Sequence, residues 1–106
     1  MDAQTTQSDT PMQPLNIASI ADLIRNEATK YSLTVVKTGN AGRAVVAIYD
    51  QGTRVLRYVI KRTCVIGPNR PDTGGESKAG VIVQNIEAGL AVLNLKYNPE
   101  REMYCR

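Results

Sequence analysis

Histidine, phenylalanine and tryptophan are all missing from this chain, and each absence excludes something. Without His there is no side chain that ordinarily titrates near neutrality, so Ser–His and Cys–His nucleophile pairs and the commonest zinc ligand drop out. Two cysteines, Cys64 and Cys105, are too few for a thiolate metal cage. With only five Tyr for aromatic bulk, the interior falls to Val, Ile, Leu and Ala. No stretch approaches the roughly 18 consecutive apolar residues of a membrane span, and no basic head followed by an apolar stretch marks an export signal.

These absences set the first expectations: a cytoplasmic, non-enzymatic chain with no cofactor, no metal and no membrane partner. Asp72 and Glu76 do not change that, because they share a glycine-rich loop where nothing raises a carboxyl pKa. In a reducing compartment the two cysteines are expected as free thiols, one a small core residue and one exposed. A bridge clasping the tail to the sheet is the alternative.

What the chain does have is segregated charge. Seven of its thirteen basic residues fall between Lys37 and Arg70, where Asp50 is the only acid, while the flanking segments are slightly acidic. At 106 residues with 42% apolar content, one domain with a modest core is expected. Residues 1–15 are rich in Gln, Thr, Ser, Asp and Pro and read as a disordered leader; residues 16–98 read as the domain, and residues 99–106 as a tail.

Asn16 is placed to cap a helix in which Ile17, Ile20, Ala21, Ile24, Ala28 and Tyr31 form one apolar stripe, with Asp22, Arg25, Asn26 and Lys30 opposite. Three β-branched runs follow: Leu33–Thr38, Arg43–Tyr49 and Arg54–Ile66. Glycine-bearing turns separate them, and Gln51-Gly52 suits the centre of a tight hairpin. Residues 67–75, with two prolines and three glycines, read as a loop.

Residues 79–97 fit two patterns. As a helix capped by Ser77 they align Val83, Ile86, Leu90, Leu93 and Tyr97 and stop at Asn98-Pro99; as strands, Val81–Ile86 and Leu90–Leu95, they flank an Ala88-Gly89 turn. The expected class is α+β: an N-terminal helix, a three-stranded antiparallel meander and a C-terminal helix, with a C-terminal β-hairpin extending the sheet as the alternative.

An unbroken hairpin register about Gln51-Gly52 sets Tyr49 opposite Arg54, Val45 opposite Tyr58 and Arg43 opposite Ile60. One face then collects Ala44, Val46, Ile48, Val55 and Val59, interrupted by Arg57 and Lys61. The other collects Arg43, Tyr49, Arg54, Tyr58 and Arg62 with Val45, Ala47, Leu56 and Ile60. If the first face lies under the helices, the second presents rings that could stack on bases and guanidinium groups that could neutralise phosphates. The competing assignment makes Leu56, Tyr58 and Ile60 core and leaves Arg57 and Lys61 as a solvated outer row.

The order helix, three strands, helix resembles that of double-stranded-RNA-binding domains, and Gly75-Glu76-Ser77-Lys78 resembles the start of their second helix. The resemblance implies a nucleic-acid partner and covers only those residues and the topology. Ala79, Gly80, Gln84 and Asn85 stand where that family has its lysines and small buried residues. Residues 73–78 also lack the spacing of a phosphate loop.

The functional expectation is a nucleic-acid-binding protein of low sequence specificity. Its phosphate contacts are Arg43, Arg54, Arg57, Lys61 and Arg62, and its stacking groups are Tyr49 and Tyr58. The alternative is an inhibitor or adaptor that docks the same basic sheet on an acidic protein surface. Apolar residues on both sheet faces exceed what two helices cover, which leads to an expected homodimer.

Overall fold

The computed structural model describes residues 14–40, 42–69 and 77–106, so the expected disorder of the leader lies almost wholly outside the described residues. Helix α1, Ile17–Lys30, starts where Asn16 Oδ1 accepts the Ser19 N–H at 3.0 Å. Capping satisfies one of the first-turn donors that helix geometry leaves without a partner. Ile20, Ala21, Ile24 and Ala28 are buried along one side, and the Asp22–Arg25 and Glu27–Lys30 ion pairs lie on the solvent side.

Strands β1 (Thr34–Asn40), β2 (Arg43–Asp50), β3 (Thr53–Lys61) and β4 (Cys64–Ile66) follow in antiparallel succession. Gly39, at φ 120°, lets β1 cross close to β2, since a Cβ there would run into the Arg43 carbonyl. At the next turn Gln51 and Gly52 both take positive φ, 52° and 86°, the pattern of a type I′ hairpin. Helix α2, Ser77–Val92, then packs beside α1 on the same side of the sheet. The chain closes with β5 (Lys96–Asn98) and β6 (Met103–Cys105), giving one six-stranded antiparallel sheet in the order β1-β2-β3-β4-β6-β5.

Four sequence expectations are corrected here. The sheet has six strands, not three, because the run 54–66 turns at Arg62-Thr63 and residues 96–105 add a hairpin. Residues 99–106 are thus no tail: Met103–Cys105 inserts between β4 and β5, with Tyr104 buried. Helix α2 also buries a rotated face. Ala79, Ile82, Ile86 and Leu90 reach the core, while Leu93 is exposed and Tyr97 belongs to β5.

The fourth correction concerns register. Asp50 opposes Thr53 and Tyr49 opposes Arg54 as expected, but Ile48 opposes Leu56, so Val55 is an extra residue on β3. This β-bulge shifts every later pair by one: Val45 meets Val59, and Arg43 meets Lys61. Because strand side chains alternate with period two, the shift turns Leu56, Tyr58 and Ile60 under the helices beside Ala44, Val46 and Ile48. Burial explains the outcome: the large apolar members of β3 join the core, each contributing about 1.5–3 kcal/mol, and no guanidinium is sealed away.

Tyr97 and Tyr104 pack at 5.0 Å between ring centroids where β5 meets β6. Burial, helped by the nearby Glu87 carboxylate and the Tyr97 phenol, pushes the Tyr104 hydroxyl up to about 12.

Candidate nucleic-acid interface

Both helices cover one side of the sheet, and the register defines what the other side presents. Cross-strand partners share a face, so the outer side can be followed in rows that run across the strands. The first row reads Asn40, Arg43 and Lys61 and continues, past the Arg62-Thr63 turn, through Cys64, Cys105 and Lys96. The second is Thr38, Val45, Val59, Ile66, Met103 and Asn98. Val36, Ala47 and Arg57 make the third, and Thr34, Tyr49 and Arg54 the fourth.

The rows differ in chemistry. The first is basic, with three cations spread over five strands; the second is an almost continuous apolar strip; Arg57 and Arg54 flank it on the far side. Successive rows are about 7 Å apart and neighbouring strands about 4.8 Å apart, from the rise and spacing of strands. Asp50 is the only acid in the six strands, and it lies at the β2–β3 turn. Among the described residues, none of Arg43, Arg57, Lys61 and Lys96 is in an ion pair.

Arg43 and Lys61 are directly opposed and both exposed. Like charges in that relation cost on the order of 0.5 kcal/mol in the free protein, a cost that a bound anion would reverse. Arg54 is turned differently. It is half-buried, and its guanidinium donates to the Asn69 carbonyl at 3.1 Å, tying residues 67–69 to this corner. The Asn69 N–H reinforces the tie by donating to the Arg57 carbonyl at 2.8 Å.

Comparison with protein-family models, curated proteins and solved structures found no match. The site is therefore judged on its residues.

Of the seven residues singled out in the sequence, five share the outer face: Arg43, Tyr49, Arg54, Arg57 and Lys61. Tyr58 does not. It is 0% exposed, in the core, and its ring cannot stack on a base. Arg62 is also displaced, because the β3–β4 turn places it beside the start of α1, where its carbonyl accepts the Leu15 N–H at 2.7 Å. There, with Lys37, it lines a separate cleft of about 580 Å³.

Lys96 belongs to the basic row and was not anticipated, since a three-residue strand carries no periodicity to reveal it. The described residues contain no group of three or more His, Cys, Asp or Glu able to hold a metal ion. No described helix is long and apolar enough to cross a membrane.

Proposed function

We propose that the outer sheet face binds nucleic acid, with the strand lying across the β-strands rather than along them. Arg43 and Lys61 contact the backbone at neighbouring phosphates, Lys96 contacts it three strands further along, and Arg57 holds the opposite flank. The bases lie over the half-buried Val45, Ile66 and Met103, with Val59 buried between them, and Tyr49 supplies a half-buried ring at the edge. The observation that carries this reading is the basic row running beside an apolar row, neither of which contains a carboxylate.

Single strands suit the face better than duplex, because unpaired bases can lie flat on an apolar strip whereas a duplex shows a protein mainly its backbone and groove edges. No element presents base-reading polar side chains as a recognition helix does, so sequence preference is weak. Binding of a labelled single-stranded oligonucleotide, titrated from low to moderate salt, tests the reading. Three to four phosphate contacts give a log–log salt slope of about −2 to −3. No detectable affinity at low salt removes it.

An acidic protein surface is the second reading, favoured by the aliphatic character of the middle row, which fits protein side chains as well as bases. Pull-down after nuclease digestion separates the two, since a protein partner survives digestion. A homodimer, if formed, is proposed at the β1 edge, because face-to-face pairing would set Arg43, Arg57 and Lys61 near their copies. Sedimentation at micromolar concentration reads this out: a species of 11.6 kDa alone counts against it.

A further inference from the structure

Cys64 and Cys105 are forty-one positions apart in sequence and directly opposite one another on β4 and β6. Directly opposed residues of an antiparallel pair have Cα atoms about 4.5 or 5.5 Å apart, depending on whether they are hydrogen-bonded. Both separations lie inside the roughly 4.4–6.8 Å window that a disulfide spans. The two side chains leave the sheet on the same face, near enough for Cys64 to act on the Cys105 thiol. Both are free thiols, Cys64 buried and Cys105 half-buried.

The location gives such a bond a purpose. Strand β6 meets β4 through only three residue pairs, 64 with 105, 65 with 104 and 66 with 103, and β5 reaches the rest of the sheet only through β6. The β5–β6 hairpin, which carries Lys96, is thus held to β4 by a short ladder. A covalent link at the 64–105 pair would close a loop containing the 67–76 segment, α2 and β5, and loops of that length gain most from closure.

We propose that Cys64 and Cys105 are a dithiol–disulfide site, oxidised by low-molecular-weight disulfides such as oxidised glutathione, that staples the C-terminal hairpin to β4. The Cys105 thiolate, the more accessible of the two, attacks one sulfur of oxidised glutathione. Its S–S bond breaks, one glutathione leaves as thiolate, and a mixed disulfide stands on Cys105. The Cys64 thiolate then attacks the Cys105 sulfur, forming the protein disulfide and expelling the second glutathione. The two protons lost by the cysteines are taken up by the two glutathione thiolates. In sum the protein loses two electrons and glutathione disulfide gains them. Burial and the neighbouring Cys64 hold the Cys105 thiol above its ordinary value, so exchange accelerates as pH rises.

The test equilibrates the full chain in glutathione buffers of graded oxidised-to-reduced ratio, quenches with acid, alkylates free thiols and reads intact mass, linked peptides and melting temperature. The expected product is a monomer two hydrogens lighter, with neither cysteine alkylated and a Cys64–Cys105 linked peptide. Its melting temperature should stand about 10 °C above the reduced form and revert with a dithiol reductant. Cys105→Ser, a change at a half-buried position, should keep the reduced protein's melting temperature and lose the oxidative shift. The proposal is overturned by glutathione that stays on Cys105 without closure, by a disulfide-linked dimer, or by two alkylated thiols in excess oxidised glutathione.

Discussion

Arg43 and Lys61 face each other across the β2–β3 ladder, two exposed cations in direct cross-strand register. Replacing one should therefore improve the free protein while harming what it binds. For Lys61→Gln, chemical denaturation should show a gain of about 0.5 kcal/mol at low ionic strength that shrinks with added salt. The salt slope of oligonucleotide binding should fall by about 0.7 as one phosphate contact is lost. A variant that gains no stability and binds as before would disconnect the pair from both effects.

The two central tyrosines should separate cleanly. Tyr58→Ala empties a fully buried site and is expected to cost about 3–5 kcal/mol in urea unfolding. Tyr49→Ala, on the outer face, should leave the unfolding midpoint nearly unchanged and weaken single-strand binding by about 1–3 kcal/mol. The reverse pattern would mean that the bulge at Val55 is misplaced.

Gly39 is fixed by backbone geometry. Its φ of 120° and the adjacent Arg43 carbonyl leave no room for a Cβ, so Gly39→Ala should destabilise by more than 1 kcal/mol. Gly52→Ala, also at positive φ but with nothing within 4 Å of an added Cβ, should cost less. Equal losses in the two variants would leave the steric part unsupported.

Tyr104 makes a prediction at high pH. Its hydroxyl titrates at about 12 in the fold against 10.0 in an unfolded chain, so the folded state favours the neutral phenol. The associated stability is fully present below pH 10 and is lost as pH rises from 10 through 12. A two-unit difference corresponds to about 2–3 kcal/mol. Alkaline titration followed by tyrosinate absorbance should show one group ionising late, and Tyr104→Phe should remove that step.

What could be read in advance depended on how much chain each feature spans. Helix α1 was legible because its stripe persists over four turns and Asn16 announces the start. The charge of the middle segment was legible as composition, and five of the seven chosen residues do share one face. Val55 was not legible. One additional residue in a strand alters no composition and no turn signal, yet it decides whether Tyr58 faces water or the core. Lys96 and the β6 pairing were hidden for another reason: strands of three residues are specified by their neighbours in space, and Cys64 reveals its proximity to Cys105 only once both are placed.

Strand β6 fills the slot between β4 and β5, and this sets an order on folding during synthesis. While a ribosome still holds residues 103–105, α1 and the first four strands precede them in the chain, but the edge of β4 that β6 will occupy is bare. Until residues 103–105 leave the ribosome and pair, that edge is a template for a strand of any neighbouring nascent chain. Crowded polysomes, rather than dilute finished protein, are where misassembly of this fold would begin.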